Sequence, residues 1–286
     1  MIQTRDIKLV GIVGSGIMGS GIAEVVSRAG MDVVVCSRAE QTAHATRSAI
    51  EKSLANKLSK TKISQEEMDA AMSHVYVTSK IEDLANCDLV IESAIEDLTT
   101  KQRLFAELDK VVKLSCVLTT NTSTLPVIEM ARSTNRPDKV CGIHFFNPAV
   151  IMPLVEIIRP ITASDETIAL ANAFVATCGK DGVQVADRAG FIVNALLFPY
   201  LNNAIAMLEA GTASMEDIDT AMKGGCNFPM GPFALLDLVG LDTSVSILEA
   251  LFSEFESSNL EPRPTLRKLV EQGKLGRKSN QGFYSY

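Results

Sequence analysis

Histidine is scarce, cysteine is scattered and positive charge is in the minority. Each shortage removes a class of function. The chain has three histidines and six cysteines, and no two cysteines form a C-x-x-C pair. Zinc sites and disulfide frameworks need closely spaced sets, so no metal site and no disulfide scaffold are expected. The thiol pattern fits a reducing, cytoplasmic compartment. Lysine and arginine number 27 against 34 acidic residues, a net charge of −7. A general nucleic-acid binder carries a basic face, so nucleic acid is not an expected partner. The opening Met1-Ile2-Gln3-Thr4-Arg5-Asp6 lacks the charged-then-apolar order of a signal peptide. One stretch, Ala189 to Leu208, is free of charge over twenty residues. That length could span a bilayer. It contains Asn194, Asn202, Asn203 and Pro199, and no second such segment exists. Polar groups in a lone span would go unpaired, so the stretch reads as a buried helix and no membrane is expected.

What is present is a foldable chain of 286 residues, 47% hydrophobic and 21% charged. That composition excludes disordered and collagen-like classes, and the length suits one large domain or two ordinary ones. Lys8-Leu9-Val10-Gly11-Ile12-Val13 and Asp32-Val33-Val34-Val35-Cys36 read as short buried strands on either side of a helix from Ile17 to Ala29, closed by Gly30. Further helices are expected at 39–60, 64–73 and Lys101 to Val112. Further strands are expected at Val75-Tyr76-Val77, Leu89-Val90-Ile91-Glu92, Val117-Leu118-Thr119 and Cys141-Gly142-Ile143-His144. Strands alternating with helices imply parallel βαβ units. After Asp187 the periodicity is helical, with loops at Gly211, Gly224-Gly225, Pro229 to Pro232 and Gly240. The expected fold is an α/β Rossmann domain over 1–186 followed by an all-α domain over 187–286.

Gly14-Ser15-Gly16-Ile17-Met18-Gly19 is a G-x-G-x-x-G loop between the first strand and the first helix. In that context it is a dinucleotide fingerprint. The first glycine makes a tight turn, the second lets a pyrophosphate approach, and the third lets helix and strand pack closely. NAD enzymes of this design carry an acidic residue near the end of the second strand, for the ribose 2′-hydroxyl. Here that end is Ser37-Arg38, and the nearest carboxylate is Glu40. A hydroxyl and a guanidinium suit a 2′-phosphate better, so NADP(H) is expected to be accepted beside NAD(H). The other reading leaves Arg38 stacked on the adenine or in solvent.

His144 falls at an expected strand end, within Gly142-Ile143-His144-Phe145-Phe146-Asn147-Pro148. Twelve residues on, Glu156 is the lone charge in an apolar run. A buried carboxylate needs a partner, and an imidazole is a good one. Alcohol oxidation by a nicotinamide needs a base for the hydroxyl proton, and such groups contribute roughly 10²–10⁴-fold. A satisfied core histidine with an unrelated glutamate explains the same spacing.

Several motifs together resemble the 3-hydroxyacyl-CoA dehydrogenase family, including bacterial 3-hydroxybutyryl-CoA dehydrogenases. They are the Val10 to Gly19 opening, Asn121-Thr122-Ser123, His144-Phe145-Phe146-Asn147-Pro148, Arg188-Ala189-Gly190-Phe191-Ile192-Val193-Asn194, Met230-Gly231-Pro232 and Gly282-Phe283-Tyr284. The resemblance spans essentially the whole chain. It implies that His144 is the general acid/base and Glu156 its orienting partner. Ser123 and Asn194 match polar contacts to the reacting oxygen or the thioester carbonyl. Gly14, Gly16, Ile17, Met18, Gly19, Ser37 and Arg38 fall in the cofactor-binding stretches. Asn147 matches the asparagine beside the nicotinamide. Glu96, Lys101 and Lys278 match residues assigned to the cofactor.

Lys52, Lys57, Lys60 and Lys62 cluster on one expected helix. Alone, that is a solvated face. The resemblance instead places coenzyme A there, with Ser53 and Lys60 as contacts, and Ser123 beside the substrate. The implied reaction is reversible oxidation of a short-chain 3-hydroxyacyl-CoA in fatty-acid or butanoate metabolism, by a cytoplasmic homodimer joined through the helical domain. A 3-hydroxyacyl-carrier-protein dehydrogenase and a non-catalytic dinucleotide-binding structural protein are the alternatives.

Overall fold

The short apolar runs of the first half assemble into one eight-stranded sheet. The computed structural model describes residues 7–286, and the signal-peptide reading of Met1 to Asp6 lies outside them. The strands are β1 (Leu9–Val13), β2 (Asp32–Cys36), β3 (Val75–Thr78), β4 (Leu89–Glu92), β5 (Val117–Thr120), β6 (Val140–Phe145), β7 (Leu154–Arg159) and β8 (Asp181–Ala186). Their spatial order is β3-β2-β1-β4-β5-β6-β7-β8. The first six run parallel, β7 is antiparallel to β6, and β8 is parallel to β7. The order reverses direction between β1 and β4, the switch point where doubly wound sheets bind ligands. The central parallel strands are covered on both faces, which is why β1 and β4 are written almost entirely in Val, Ile and Leu. Val10, Ile12, Val33, Val35, Leu89 and Ile91 are fully buried.

Helix α1 (Ile17–Arg28) opens within the glycine motif, directly after Gly16. The next helices are α2 (Glu40–Ser59) and α3 (Gln65–Ser73). α2 buries only Ala43, Thr46, Ile50 and Leu54, a narrow stripe at helical spacing, and its other faces are polar. α3 starts at a capping box, in which Ser64 and Glu67 satisfy each other's backbone N–H, contributing about 1 kcal/mol. Helix α4 (Leu98–Val111) begins three positions before the expected Lys101. The reason is Asp97, whose carboxylate accepts from Thr100 N and fixes the start. α5 (Val127–Ala131) and α6 (Asp165–Thr177) complete this half.

The chain divides into two compact units, Met1–Asp187 and Arg188–Tyr286. The division falls one residue after the expected boundary. Asp187 belongs to the first unit because its carboxylate accepts from Val127 N and Ile128 N, capping α5. The second unit contains α7 (Val193–Glu209), α8 (Met215–Cys226), α9 (Pro232–Val239), α10 (Leu241–Phe255) and α11 (Pro264–Glu271). Phe198, Leu201, Ile205, Phe233, Leu236, Leu248 and Leu266 form its core. Each such side chain contributes about 1.5–3 kcal/mol on burial. The charge-free stretch is α7, and no helix among the described residues is long and apolar enough to cross a membrane. Two buried aspartates tie this unit together. Asp219 accepts from Phe233 N and Ala234 N at the start of α9, and from the Tyr284 hydroxyl. Asp237 accepts from Phe283 N, Tyr284 N and the Tyr286 hydroxyl, anchoring the C-terminal segment.

Candidate active site

Strand pairing alone brings the histidine and the glutamate together. β6 and β7 are antiparallel neighbours, and His144 is the direct register partner of Glu156. Directly opposed residues point to the same face, so two residues twelve apart in sequence become side-chain neighbours. Glu156 Oε2 lies 2.8 Å from His144 Nδ1. His144 is 4% exposed and Glu156 1%. A carboxylate at Nδ1 accepts a hydrogen bond from an Nδ1–H, which in a neutral ring leaves Nε2 as the acceptor. Nε2 in turn lies 3.1 Å from Ser123 Oγ. The Phe146 ring packs against the imidazole at 4.5 Å between centroids.

Ser123 stands in the loop between β5 and α5, four residues ahead of that helix, and so does not cap it. The loop is held by its neighbours. Asn121 Oδ1 accepts from Phe145 N at 2.8 Å, tying it to the end of β6. Glu96 Oε1 accepts from Ser123 N at 2.9 Å and from the Thr122 hydroxyl.

The glycine loop follows β1 at the switch point. Gly14 has φ +119°, and a Cβ there would meet Ser93 O at 2.3 Å. A Cβ on Gly19 would sit 2.0 Å from Gly14 O. These two glycines are dictated by the protein's own backbone. Gly16 is not, since a Cβ there meets nothing within 4 Å. Its smallness leaves room for something from outside the chain, as a pyrophosphate requires. Ile17 is 78% exposed on the loop crest beside it, and Met18 is half-buried.

Ser37 follows the last residue of β2. It is buried, its N–H donates to Thr78 O, and its hydroxyl oxygen has no hydrogen-bond partner. A buried polar atom without a partner is unfavourable unless a ligand or water completes it. Arg38 beside it is exposed, and Glu40 opens α2. The open face of Gly16 and the unsatisfied Ser37 hydroxyl both fit a bound dinucleotide.

Asn147 follows β6, and its peptide bond to Pro148 is cis. It lines a cleft with Ile17, Gly21, Glu24, Ser53 and Ala149. Three segments assigned separately from sequence therefore meet in one cleft: the glycine loop, Ser53 of α2 and Asn147. The loop from Asn147 to Pro153 is clamped from outside. Lys180 Nζ donates to Ala149 O at 2.7 Å and to Met152 O at 2.8 Å. Burial, with Arg28 and Lys57 nearby, pushes the Lys180 ammonium below the usual lysine range.

The lysine cluster on α2 is smaller than the sequence implies. Lys57 turns inward to pair with buried Glu24, because a lone carboxylate there needs a counter-ion. Lys52, Lys60 and Lys62 remain exposed, Lys60 as the residue that ends α2. Lys101 also lies away from solvent, at 1% exposure, with its ammonium against Glu92 and Glu96. Glu92, fully buried at the end of β4, is a polar anchor that the sequence reading left without a role. Its signal was a carboxylate closing the apolar run Leu89-Val90-Ile91-Glu92. Two further predicted residues lie in the second unit. Asn194 stands in the first turn of α7. Lys278 pairs with Asp242. Among the described residues no group of three or more His, Cys, Asp or Glu is placed to hold a metal ion.

Comparison with known proteins points to one family. Residues 9–188 match the model of the 3-hydroxyacyl-CoA dehydrogenase NAD binding domain, and residues 190–286 match that of the 3-hydroxyacyl-CoA dehydrogenase C-terminal domain. A 3-hydroxybutyryl-CoA dehydrogenase of Mycobacterium tuberculosis is 46% identical over 282 residues, covering 98% of this chain and 99% of that one. The mitochondrial hydroxyacyl-coenzyme A dehydrogenase of Sus scrofa is 39% identical over 98% of this chain and 91% of its own. The crystal structure of (S)-3-hydroxybutyryl-CoA dehydrogenase from Ralstonia eutropha superposes with a TM-score of 0.95 at 37% identity, covering 98% of this chain and 99% of that one. With both halves matched and full-length relatives well above 30% identity, the chain belongs to the 3-hydroxyacyl-CoA dehydrogenase family.

Proposed function

We propose that this protein catalyses the reversible oxidation of a short-chain 3-hydroxyacyl-CoA, 3-hydroxybutyryl-CoA, to the 3-oxoacyl-CoA. The observation that carries the reading is the Glu156–His144–Ser123 line, at 2.8 and 3.1 Å. His144 Nε2 takes the proton of the 3-hydroxyl in oxidation and returns it in reduction. Glu156 holds the Nδ1 proton in place and compensates the charge of the imidazolium that forms. Buried against each other, the two stay oriented without reorganising, which is where preorganised charge acts most strongly. Ser123 Oγ donates toward the oxygen on which negative charge develops in reduction. Asn194 is assigned the neighbouring carbonyl on family resemblance. The Phe146 ring packs at a tilt against the imidazole.

The cofactor is a nicotinamide dinucleotide, which supplies the hydride acceptor when bound. Gly14, Gly16, Ile17, Met18 and Gly19 would hold its pyrophosphate, and Asn147 its nicotinamide end. We infer that NADP(H) is accepted as well as NAD(H), since no carboxylate follows β2 and Ser37 and Arg38 stand in its place. The coenzyme A portion is assigned to Ser53 and Lys60, with Lys52 and Lys62 adding positive charge. Leu196 and Met207 are exposed on one side of α7, at helical spacing, which supports a homodimer through the second unit. Six free thiols suit a reducing cytoplasm.

The test is acetoacetyl-CoA reduction with NADH and NADPH at equal concentration, followed by loss of reduced-nicotinamide absorbance. Turnover with both cofactors is the expected result. No turnover with either, and none with longer acyl chains, removes the dehydrogenase reading. Light scattering of the wild type and Leu196→Lys tests the dimer, with a shift to monomer expected in the variant.

A further inference from the structure

We propose that Arg28 and Lys180 form an anion subsite at the far end of the substrate cleft, where they take the nucleotide phosphates of coenzyme A. The subsite rests on the function proposed above and lies on elements other than α2. Helix α1 sets its direction. Ile17, Gly21 and Glu24 line the cleft beside Asn147, and Arg28 follows them at the same helical spacing. That stripe runs about 16 Å from Ile17 to Arg28, at about 1.5 Å per residue. Beyond Glu24 it meets a second hollow of about 390 Å³, lined by Val25, Arg28, Val150, Thr177 and Lys180. Val150 lines both hollows, so they adjoin along α1. The volume far exceeds the roughly 10–15 Å³ that one water needs, which leaves room for phosphate groups.

The chemistry changes along this line. The first cleft has Glu24 as its one charged lining group among the described residues, and Lys57 neutralises it. The second hollow has two, Arg28 and Lys180, with no carboxylate among its described lining. A coenzyme A thioester is written in the same order: a reacting acyl group, an uncharged pantetheine arm, then a pyrophosphate and a 3′-phosphate. With the acyl end beside Asn147, the phosphates fall toward the two cations. Neither cation is spent within the protein. Arg28 is exposed in the last turn of α1 and forms no ion pair among the described residues. Lys180 Nζ has three protons and gives two, to Ala149 O and Met152 O. Burial first, then the charges of Arg28 and Lys57, hold its ammonium below the usual lysine range. Cations crowded in this way repel one another until an anion joins them. The whole chain carries −7, so the local surplus is not a by-product of composition. A helix C-terminus also favours a cation, but that explains Arg28 alone and not Lys180 in the same hollow. A guanidinium fork and an ammonium point charge are both suited to phosphate.

The experiment compares wild type, Arg28→Ala, Arg28→Glu and Lys180→Met on two substrates, acetoacetyl-CoA and acetoacetyl-pantetheine. The second lacks the phosphates. The readouts are kcat and KM at low and high salt, with melting temperature as the check on folding. Arg28 is exposed, so its variants are expected to fold. Arg28→Ala is expected to raise KM for acetoacetyl-CoA about 10-fold, the worth of one charge-assisted hydrogen bond, and Arg28→Glu to raise it further. Their kcat is expected to stay within about 3-fold. On acetoacetyl-pantetheine, kcat/KM is expected to stay within about 2-fold of wild type. Wild-type KM for acetoacetyl-CoA is expected to rise with salt, and to rise less steeply in Arg28→Ala. Lys180→Met also releases the loop after β6, so its effect is read as the difference between the two substrates. A loss larger for acetoacetyl-CoA supports the subsite, and an equal loss for both makes Lys180 a loop clamp only and overturns its share. Unchanged KM for acetoacetyl-CoA in both Arg28 variants overturns the proposal. So does a rise of the same size for both substrates. Wild-type turnover of neither substrate overturns the proposed function itself. Wild-type turnover beside unaffected Arg28 variants overturns only the subsite.

Discussion

Replacing Glu156 by glutamine keeps the shape of the side chain and removes one charge, 2.8 Å from the imidazole. Opposite unit charges about 4 Å apart interact by about 4 kcal/mol at an effective dielectric of 20. Part of that is returned, because a neutral amide is easier to bury than a carboxylate. Charging the His144 ring in the transition state is then harder by about 2–4 kcal/mol, which is roughly 30- to 1000-fold in kcat. Glu156 is 1% exposed and cannot touch a ligand, so KM for acetoacetyl-CoA and for the dinucleotide should hold within about 3-fold. The overall equilibrium belongs to the substrates, so oxidation and reduction must slow by the same factor. The assay is steady-state kinetics in both directions, with circular dichroism melting to verify the fold. A variant that melts like the wild type and keeps kcat within 3-fold refutes the reasoning. So does a loss confined to KM.

Ser37→Asp restores a carboxylate after β2 and should move the kcat/KM ratio of NADPH to NADH toward NADH by about 10- to 100-fold, the worth of a charge-assisted hydrogen bond; parallel kinetics with the two cofactors checks it. Asp237→Asn should lower stability by about 1–3 kcal/mol in denaturant melts. Asp237 accepts two backbone N–H groups and a hydroxyl, and an amide in its place leaves one of them unmet. Acid unfolding should carry a signature of Asp109. Burial alone would raise its carboxyl, but hydrogen bonds from Asn135 and Arg136 win and hold it below the ordinary aspartate value of 3.8. A lowered folded-state value adds stability above the unfolded-state pKa and loses it as pH falls through the folded one. The Asp109→Asn variant should therefore lose stability at neutral pH, and its melting temperature should fall less than the wild type's between pH 5 and 2, read by scanning melts across that range.

The parallel half of the sheet was legible because its central strands, covered on both faces, are written as short apolar runs, and the edge strand β3, with Tyr76 exposed, still shows the β-branched and aromatic residues of a strand. β8 was not. Its residues Asp181, Gly182, Val183, Gln184 and Ala186 are exposed, and backbone pairing with β7 holds it rather than side-chain burial. α6 carried a readable start, Ser164 as cap with Asp165 and Glu166 in the first turn. It went unread beside the stronger signals. The five-residue α5 has too few turns to show a period. At the site, the spacing of His144 and Glu156 suggested a pair but left a core histidine equally open. The register of β6 on β7 brings them together, and register depends on a loop whose path is not encoded by periodicity. The partners of Lys101 were hidden for a similar reason. Glu92 lies nine residues away across a strand end and a loop, outside any helical i,i+4 rule. Lys57 was misread as a surface charge because Glu24, its partner, lies on another helix.

The account rests on His144 as the group that moves the proton. The most direct test is acetoacetyl-CoA reduction by wild type and His144→Ala, with dinucleotide binding to each measured by titration. The predicted result is a kcat lowered by at least about 100-fold, with unchanged melting temperature and an unchanged dinucleotide Kd. A folded His144→Ala enzyme that binds the dinucleotide and turns over at the wild-type rate would contradict the central claim.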